Sequence, residues 1–145
     1  MKSKLIAIIE SLISAVIALL GFSSCDSEVM YGSPNGDFRV SGLVTDEEGI
    51  PIDKARVIVR PYVFGDGMYY LHECDTLTTD LAGKYWGEIN GIPSNKIVIV
   101  CEDPRGAYRP DSVEIKPKYE NGDHDWYEGV ATAEVNFKLK KAAEN

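Results

Sequence analysis

Residues 133–140, which read AEVNFKLK, decide the fold of this chain. Their apolar side chains fall at every second position, and the side chains between them are polar. Successive side chains of a β-strand point to opposite faces, so this pattern predicts a strand with one face in a core and the other in water. The same period of two is present in residues 38–44 and 55–60. The body of the chain is therefore predicted to be all-β.

Turn residues separate the predicted strands at short intervals. Residues 46–49 (DEEG) and 80–83 (DLAG) each lie between two apolar runs. Aspartate bonds nearby backbone amides and glycine accepts a positive φ, so both stretches predict tight reversals. Residues 96–101 (KIVIVC) are continuously apolar in the middle, which predicts a central strand covered on both sides. About seven short strands at this spacing predict a Greek-key β-sandwich.

Length and charge limit the classes of function. The 145 residues allow one domain with a tail, which is too little for an enzyme with separate cofactor and substrate domains. Asp and Glu number 23 against 15 Lys and Arg, and this acidic excess argues against a nucleic-acid partner, because a phosphate backbone is bound mainly by clustered cations. A content of 44% hydrophobic and 26% charged residues predicts a globular body.

The first 24 residues differ from the rest of the chain. Lys2 and Lys4 form a short basic head, and residues 5–20 are almost entirely apolar, although Glu10 interrupts them. The apolar stretch after Glu10 is too short for a hydrocarbon core of about 30 Å. A basic head, an apolar core and small residues before a cleavage site are typical of a secretory signal peptide. A true membrane helix is the alternative.

Residues 21–25 (GFSSC) resemble a bacterial lipobox. Lipobox processing attaches diacylglycerol to the cysteine thiol and cleaves just before it, so the resemblance implies that Cys25 carries the lipid. Two or three acyl chains, at about 0.8 kcal/mol for each buried methylene, make such attachment effectively permanent. Residues 26–28 (DSE) also resemble the surface-export signal of Bacteroidetes lipoproteins. We therefore expect an outer-membrane anchor, on the periplasmic or the surface face. An ordinary thiol at Cys25 is the alternative.

These signals divide the chain into four segments. Residues 1–24 are predicted to be a signal peptide, and the turn-rich residues 25–37 a tether between lipid and domain. Residues 38–140 form the predicted β-sandwich, and residues 141–145 a tail.

Two blocks resemble the carboxypeptidase-regulatory-like domain, namely residues 42–52 (GLVTDEEGIPI) and 79–85 (TDLAGKY). That resemblance implies a transthyretin-like sandwich. Residues 20–26, 31–34 and 137–141 extend the likeness, and the chain as a whole is similar to the radical SAM-associated lipoproteins of Bacteroidetes. This second resemblance implies a radical SAM enzyme as a candidate partner. The alternative makes the chain a polypeptide substrate that this enzyme modifies.

The sequence predicts neither an enzyme nor a cofactor. A catalytic nucleophile needs a base held by a third group, but only His72 and His124 are present, and no Gly-x-Ser-x-Gly elbow accompanies them. Residues 72–74 (HEC) contain metal-capable atoms, but on a strand Glu73 would face away from its neighbours, and zinc takes three or four ligands. Residues 121–125 (NGDHD) lack the later ligands of a calcium loop, which favours a solvated turn.

Two cysteines remain if Cys25 is lipidated. Cys74 and Cys101 form an even pair in an oxidising compartment, which allows one disulfide. Two free thiols are an equally sound interpretation, because the sequence does not fix which strands are neighbours.

Aromatic side chains around two turns are the remaining functional candidates. One group surrounds residues 65–67 and the other lies in the late loop: Tyr62, Phe64, Tyr69, Tyr70, Trp126 and Tyr127. Exposed aromatics on a rigid sandwich hold sugars or peptides in many surface proteins. The alternative is that they cover the open ends of the sandwich. We therefore predict a non-catalytic binding or scaffolding module with a protein or glycan ligand.

Overall fold

The computed structural model describes residues 33–123 and 125–143, together with Lys4, Ile6, Ile8, Ile9 and Ser11. The chain forms two compact units, Met1–Gly32 and Ser33–Asn145. The described residues of the first unit are helical. Among the residues that the structure describes, no helix has the length and hydropathy needed to cross a membrane. The predicted lipid site at Cys25 and the histidine at position 124 lie outside the described residues.

The second unit is all-β, as the period of two predicts. Its described residues form ten strands: β1 Asn35–Asp46, β2 Arg56–Gly65, β3 Met68–Leu71, β4 Asp75–Thr78, β5 Lys84–Gly91, β6 Lys96–Glu102, β7 Asp111–Ile115, β8 Glu120–Asn121, β9 Tyr127–Glu134 and β10 Phe137–Leu139. The number exceeds the roughly seven expected because several strands are very short, such as β8 with 2 residues and β10 with 3.

The strands form two five-stranded sheets among the described residues. In the first sheet, β1 pairs with β5 in antiparallel fashion on one side. On its other side it pairs in parallel with β9 and, further along, with β10. β8 pairs with β9 in antiparallel fashion. In the second sheet, β2 pairs with β6 on one side, and β4 and β3 share its other side. β7 closes the far edge of β6.

The stretch that predicts the fold is divided between two strands. β9 ends at Glu134 and β10 begins at Phe137, so the single strand expected over residues 133–140 is wrong. The pairing is interrupted where the Val135 carbonyl accepts a hydrogen bond from the Tyr85 hydroxyl. At this point an added Cβ on Gly42 would lie 1.8 Å from the same carbonyl oxygen, so β1 needs glycine there. The inward side of the alternation is nevertheless correct, because Val135, Phe137 and Leu139 are all buried.

Both sheets contribute to one hydrophobic core, the arrangement of a β-sandwich. Val40 from β1, Val57 from β2 and Ile99 from β6 are all 0% exposed. The buried apolar members of the core are Phe38, Val40, Val44, Ile52, Ala55, Val57, Val59, Tyr85, Ile97, Ile99, Cys101, Ala131, Val135, Phe137 and Leu139.

β6 is central within its sheet but only one of its faces is packed against the other sheet. Ile97, Ile99 and Cys101 point into the core and are buried, whereas Val98 and Val100 are only half-buried on the outer face. The expectation of a strand covered on both sides is therefore wrong. The outer valines leave apolar surface that nothing in the described part of the chain fully covers.

The two predicted reversals are held by the same pattern of hydrogen bonds. Asp46 Oδ1 accepts hydrogen bonds from the amides of residues 48 and 50, and Asp80 Oδ1 accepts them from the amides of residues 82 and 84. Gly49 and Gly83 have positive φ, as the turn chemistry requires. The turns are also joined to each other, because the Val44 amide donates to the Gly83 carbonyl at 2.8 Å. The tight reversals are confirmed.

Candidate functional site

The first group of predicted aromatics lies on a protruding β-hairpin. We call residues 62–71 the aromatic hairpin; it consists of the end of β2, a two-residue turn and β3. Asp66 and Gly67 both have positive φ, of 49° and 81°. That geometry is the type I′ turn, whose twist matches that of the flanking strands. The amide of Phe64 donates to Asn95 Oδ1 at 2.7 Å, which ties the hairpin to the segment before β6.

Three of the predicted aromatics share one face of this hairpin. Phe64 pairs with Tyr69 across the strands, and Tyr62, two residues before Phe64, points the same way. The rings of Phe64 and Tyr69 meet edge to face, with centroids 5.1 Å apart. Tyr70 pairs with Val63 and therefore lies on the reverse face. The shared face continues the outer face of the second sheet.

Lys96 contacts two of the rings on the aromatic face. Lys96 Nζ lies 5.0 Å from the ring centroid of Tyr62 and 4.4 Å from that of Tyr69. The ammonium group is attracted to the negative ring faces, so it holds the two tyrosines in a fixed relation. Glu114 Oε2 on β7 lies 3.7 Å from the same ammonium group.

The aromatic hairpin exposes apolar side chains on both of its faces, with Phe64, Tyr69 and Leu71 grouped on the shared face and Met68 and Tyr70 on the reverse face. Its exposed large side chains, each between 47% and 57% exposed, are Phe64, Met68, Tyr69, Tyr70 and Leu71. Single exposed apolar residues are ordinary, whereas a contiguous group of them marks a contact surface. Sequence reasoning missed Met68 and Leu71, although both lie on strand positions beside the aromatics it selected.

The second group of predicted aromatics belongs to the other sheet. Tyr127 begins β9, and its hydroxyl donates to Asp37 Oδ2 at 2.7 Å. This bond also raises the pKa of Tyr127 above its usual range. The Trp126 carbonyl accepts a hydrogen bond from the Asn35 amide, and the Trp126 side chain is partly exposed. These residues fasten the start of β9 to β1 and are in a different sheet from the aromatic hairpin.

Trp86 is an exposed aromatic that sequence reasoning missed. Its side chain is 66% exposed on the outer face of β5, opposite Ser41 of β1. Along β5, Tyr85 is buried, Trp86 is exposed and Gly87 is buried, but the sequence places two aromatic residues side by side and so does not show which of them faces water.

A cavity of about 270 Å³ opens between the two sheets. Its floor is formed by apolar core residues from both sheets, among them Phe38, Val59 and Ile97. Its mouth is lined by Glu73, by the start of β4 and by the end of β5.

Residues 72–74 line this cavity and are not part of a strand. They form the link between β3 and β4, so the expectation that they alternate along a strand is wrong. The His72 amide donates to the Pro61 carbonyl, which holds the start of this link against β2. Among the described residues, no group of three metal-capable side chains comes together, at this link or elsewhere.

Both described cysteines are free thiols. Cys74 is exposed, whereas Cys101 is buried in the core, where burial raises the pKa of its thiol to about 12. Asp75 pairs with β2 from one side, and Cys101 pairs with β2 from the other. Neighbouring strands lie about 4.8 Å apart, so strands on either side of β2 are about 10 Å apart. A disulfide needs Cα atoms within about 7 Å, so the candidate bridge is absent here.

Two further loops use their carboxylates to hold backbone amides. Asp123 Oδ1 accepts hydrogen bonds from the amides of Tyr127 and Asp125, and these bonds lower the pKa of Asp123. Asp103, which is buried after β6, accepts bonds from Arg105 and from the Ala107 amide. Burial acts to raise the pKa of Asp103, but these bonds outweigh it and the pKa is lowered. Both carboxylates therefore serve turn structure.

Comparison with known proteins gives structural neighbours only. No protein-family model and no curated protein matches the chain. It is similar to the catechol 1,2-dioxygenase from Acinetobacter sp. ADP1 inhibited by bound mercury, with 14% identity and a TM-score of 0.51 over 81% of this chain and 56% of that one. It is also similar to the chlorocatechol 1,2-dioxygenase from Pseudomonas putida, with 14% identity and a TM-score of 0.50 over 78% and 69% of the two chains.

The wild-type catechol 1,2-dioxygenase from Acinetobacter radioresistens gives a comparable likeness, with 18% identity and a TM-score of 0.50. The chain spans 56% of the length of both Acinetobacter enzymes. At such identities the likeness shows a shared fold alone.

Proposed function

We propose that this chain is a lipid-anchored binding module of the bacterial envelope, which holds a protein partner on the aromatic face of its hairpin. The anchor is proposed at Cys25, because residues 21–25 resemble a lipobox. The exposed aromatic hairpin is the single observation that carries the binding role. Catalysis is not part of this proposal.

Aromatic side chains on this hairpin contribute little to the stability of the fold. Phe64 and Tyr69 are about half exposed, so each leaves a large part of its apolar area in water. The I′ turn and the bond from the Phe64 amide to Asn95 fix their positions before any partner arrives. A surface that is ordered in advance loses less conformational entropy on binding, which favours a recognition role.

The surroundings of the rings favour a protein over a glycan. Ile58, Val98 and Val100 continue the face as half-buried aliphatic side chains across the second sheet. Arg60 and Lys96 are the cations beside the rings on this face. Protein interfaces are enriched in Tyr, Phe, Met and Arg around an apolar centre.

Co-purification from the native host tests the binding role. We expect a variant with Phe64→Ser and Tyr69→Ser to lose its partner while it keeps the fold, because both side chains are exposed. Trp86→Ser is the matched control, since it removes an aromatic that is at least as exposed from the other sheet. Equal loss from both variants, or loss from neither, contradicts the proposal. If the native chain binds a purified glycan and the double variant does not, the ligand of the hairpin is a glycan and not a protein.

Fractionation of cells that carry Cys25→Ser tests the anchor. Without the thiol no diacylglycerol is attached, so we expect the protein to move from the membrane fraction to the soluble fraction. Protease accessibility on intact cells then reports whether the domain faces the periplasm or the outside. A membrane fraction unchanged by the substitution contradicts a lipid anchor at this residue.

The sandwich is proposed to be of the Greek-key, transthyretin-like type. What supports this is the resemblance of residues 42–52 and 79–85 to the carboxypeptidase-regulatory-like domain. The two blocks are also in contact, because Thr79 Oγ1 accepts from the Ala55 amide and donates to the Ile52 carbonyl. An experimental structure with the strand connections traced tests this directly.

The resemblance to radical SAM-associated lipoproteins extends the proposal to a radical SAM enzyme as a partner. Intact mass of the protein from its host separates a partner from a substrate. Lipid mass alone on residues 25–145 supports association, and a further small mass change on a side chain supports modification by the enzyme.

A further inference from the structure

The cavity between the sheets combines an apolar floor with an acidic mouth. Phe38, Val59 and Ile97 on the floor are nearly completely buried, so they belong to the rigid core. The volume of about 270 Å³ lies just below the usual range of roughly 300–1,000 Å³ for drug-sized ligand pockets. This space accommodates a small molecule with an aliphatic or aromatic body.

The side chains that line the cavity include three carboxylates and one histidine, His72. Glu73, Asp75 and Glu88 line it, and among the described lining residues none is lysine or arginine. Arg39 neutralises Glu88 through a 2.6 Å ion pair. Within the described part of the chain, Glu73 and Asp75 form no ion pair. The formal net charge of −8 adds a favourable field for any cation that approaches.

We propose that this cavity binds a small organic cation, a primary alkylammonium. Its apolar body lies on the floor of Phe38, Val59 and Ile97, and its ammonium group faces Glu73 and Asp75. The charge complementarity selects a cation over a neutral or anionic molecule of the same size. The site is independent of the aromatic hairpin and of the anchor, so it does not rest on the binding role proposed above.

Three probes of equal carbon length separate the contributions of body and charge. Hexylammonium, hexanol and hexanoate are each titrated into the full chain and followed by the amide chemical shifts of residues 72–75 and 89–91. We expect hexylammonium to bind at least tenfold more tightly than hexanol, and hexanoate to bind most weakly. Equal affinity for the three probes, or no saturable shift with hexylammonium, overturns the proposal.

Variants then assign the effect to this cavity. Replacing both carboxylates, by Glu73→Gln and Asp75→Asn, is expected to weaken hexylammonium binding at least tenfold and to leave hexanol unchanged. Glu114→Gln is the matched control, because it removes a carboxylate from the outer face near Lys96 and is expected to have no effect. Loss of binding in the control as well contradicts a local charge effect.

Gly91→Leu fills the cavity without straining the backbone. An added Cβ at Gly91 would meet only the His72 ring, whose nearest atom is Nε2 at 3.8 Å, which is ordinary contact. We expect this variant to lose both hexylammonium and hexanol while its unfolding midpoint stays close to that of the native chain. Binding that survives Gly91→Leu in a folded variant places the site elsewhere and overturns the proposal.

The alkylammonium could belong to a free amine or to a lysine side chain of a polypeptide, and a further probe distinguishes the two. Nα-acetyl-lysine methylamide carries the same alkylammonium on a peptide backbone. Tighter binding than that of hexylammonium assigns the cavity to a lysine side chain of a polypeptide, and weaker binding assigns it to a free amine.

Discussion

The outer faces of the two sheets differ although both sheets cover the same core. The first sheet presents mainly polar and charged side chains around one tryptophan, with two scattered aliphatic residues: Asp37, Arg39, Ser41, Leu43, Lys84, Trp86, Glu88, Val130, Thr132 and Glu134. The second sheet presents a group of aliphatic and aromatic side chains beside two cations: Ile58, Arg60, Tyr62, Phe64, Tyr69, Leu71, Lys96, Val98 and Val100. Polar and charged side chains border this group on the same face: Arg56, Thr76, Thr78, Glu102, Ser112 and Glu114. A sandwich needs only its inner faces to be apolar. The second sheet thus carries apolar surface that the fold does not require. We infer that the inner faces of both sheets provide stability and that the outer face of the second sheet provides recognition.

The largest expected effect comes from the two faces of β6. Ile99→Ala removes a side chain that is 0% exposed, so we expect the free energy of unfolding to fall by about 2–5 kcal/mol. Val100→Ala, on the outer face, is expected to lower it by less than about 1 kcal/mol. Urea denaturation of both variants gives the two values. Similar losses would show that the outer face of β6 is packed as tightly as its inner face.

Glycine positions in the two sheets give the next contrast. Gly42→Ala places a Cβ 1.8 Å from the Val135 carbonyl oxygen, so β1 and the β9–β10 junction have to move apart. We expect a loss of about 1–3 kcal/mol in the free energy of unfolding. Gly65→Ala in the aromatic hairpin is the control, because its Cβ has no neighbour nearer than 3.7 Å. A control as unstable as Gly42→Ala would indicate that the hairpin is as constrained as the first sheet.

Lysine and arginine on the two outer faces are expected to respond differently to salt. Lys96→Gln removes the ammonium group between Tyr62 and Tyr69, which we expect to lower the free energy of unfolding by about 0.5–1 kcal/mol. Arg39→Gln breaks the exposed pair with Glu88 and is expected to have a smaller effect. In 1 M salt the effect of Arg39→Gln disappears, because surface ion pairs are screened. Identical salt dependence in the two variants would contradict the role of the tyrosine rings.

The smallest expected effect is a change in acid stability. The pKa of Asp103 is lowered in the folded chain, so the unfolded chain binds more protons at low pH. The stabilisation by Asp103 is therefore complete above the unfolded value of about 3.9 and is lost as the pH falls through the lower folded pKa. In a plot of the free energy of unfolding against pH, Asp103→Asn is expected to make the acid limb, the fall roughly between pH 5 and pH 2, less steep. This is the pH range in which such carboxylates titrate.

The exposed Asp123 supplies the control for this measurement. Asp123→Asn removes a carboxylate whose pKa is also lowered, but by bonds at the surface before β9 in the first sheet. We expect its acid limb to stay closer to that of the native chain. An acid limb unchanged by Asp103→Asn would show that the buried carboxylate after β6 does not set the pH dependence.

Local patterns predicted most of the fold because they act over a few residues. The alternation in residues 38–44 and 55–60 predicted β1 and β2, and the aspartates at positions 46 and 80 predicted the two reversals. The break at Val135 escaped prediction, because it depends on the approach of Gly42 and Tyr85 from distant parts of the chain.

The candidate sites could be predicted only in part, for the same physical reason. The alternation showed that Val98 and Val100 point away from Ile99, but a sequence does not show which face another sheet covers. The cavity is lined by residues from Gly36 to Tyr119, and no local pattern brings them together. The aromatics around residues 65–67 could be selected by type and turn position, whereas Lys96 joins them only through the pairing of β2 with β6.

The most direct test of the account is photo-crosslinking in the envelope of the native host, with the crosslinking amino acid at position 64 or at position 86. The two positions are comparably exposed and lie in different sheets. The account predicts one discrete protein adduct from position 64 that disappears when Tyr69→Ser is added, and none from position 86. Adducts of equal yield from both positions, or an adduct from position 86 alone, would contradict it.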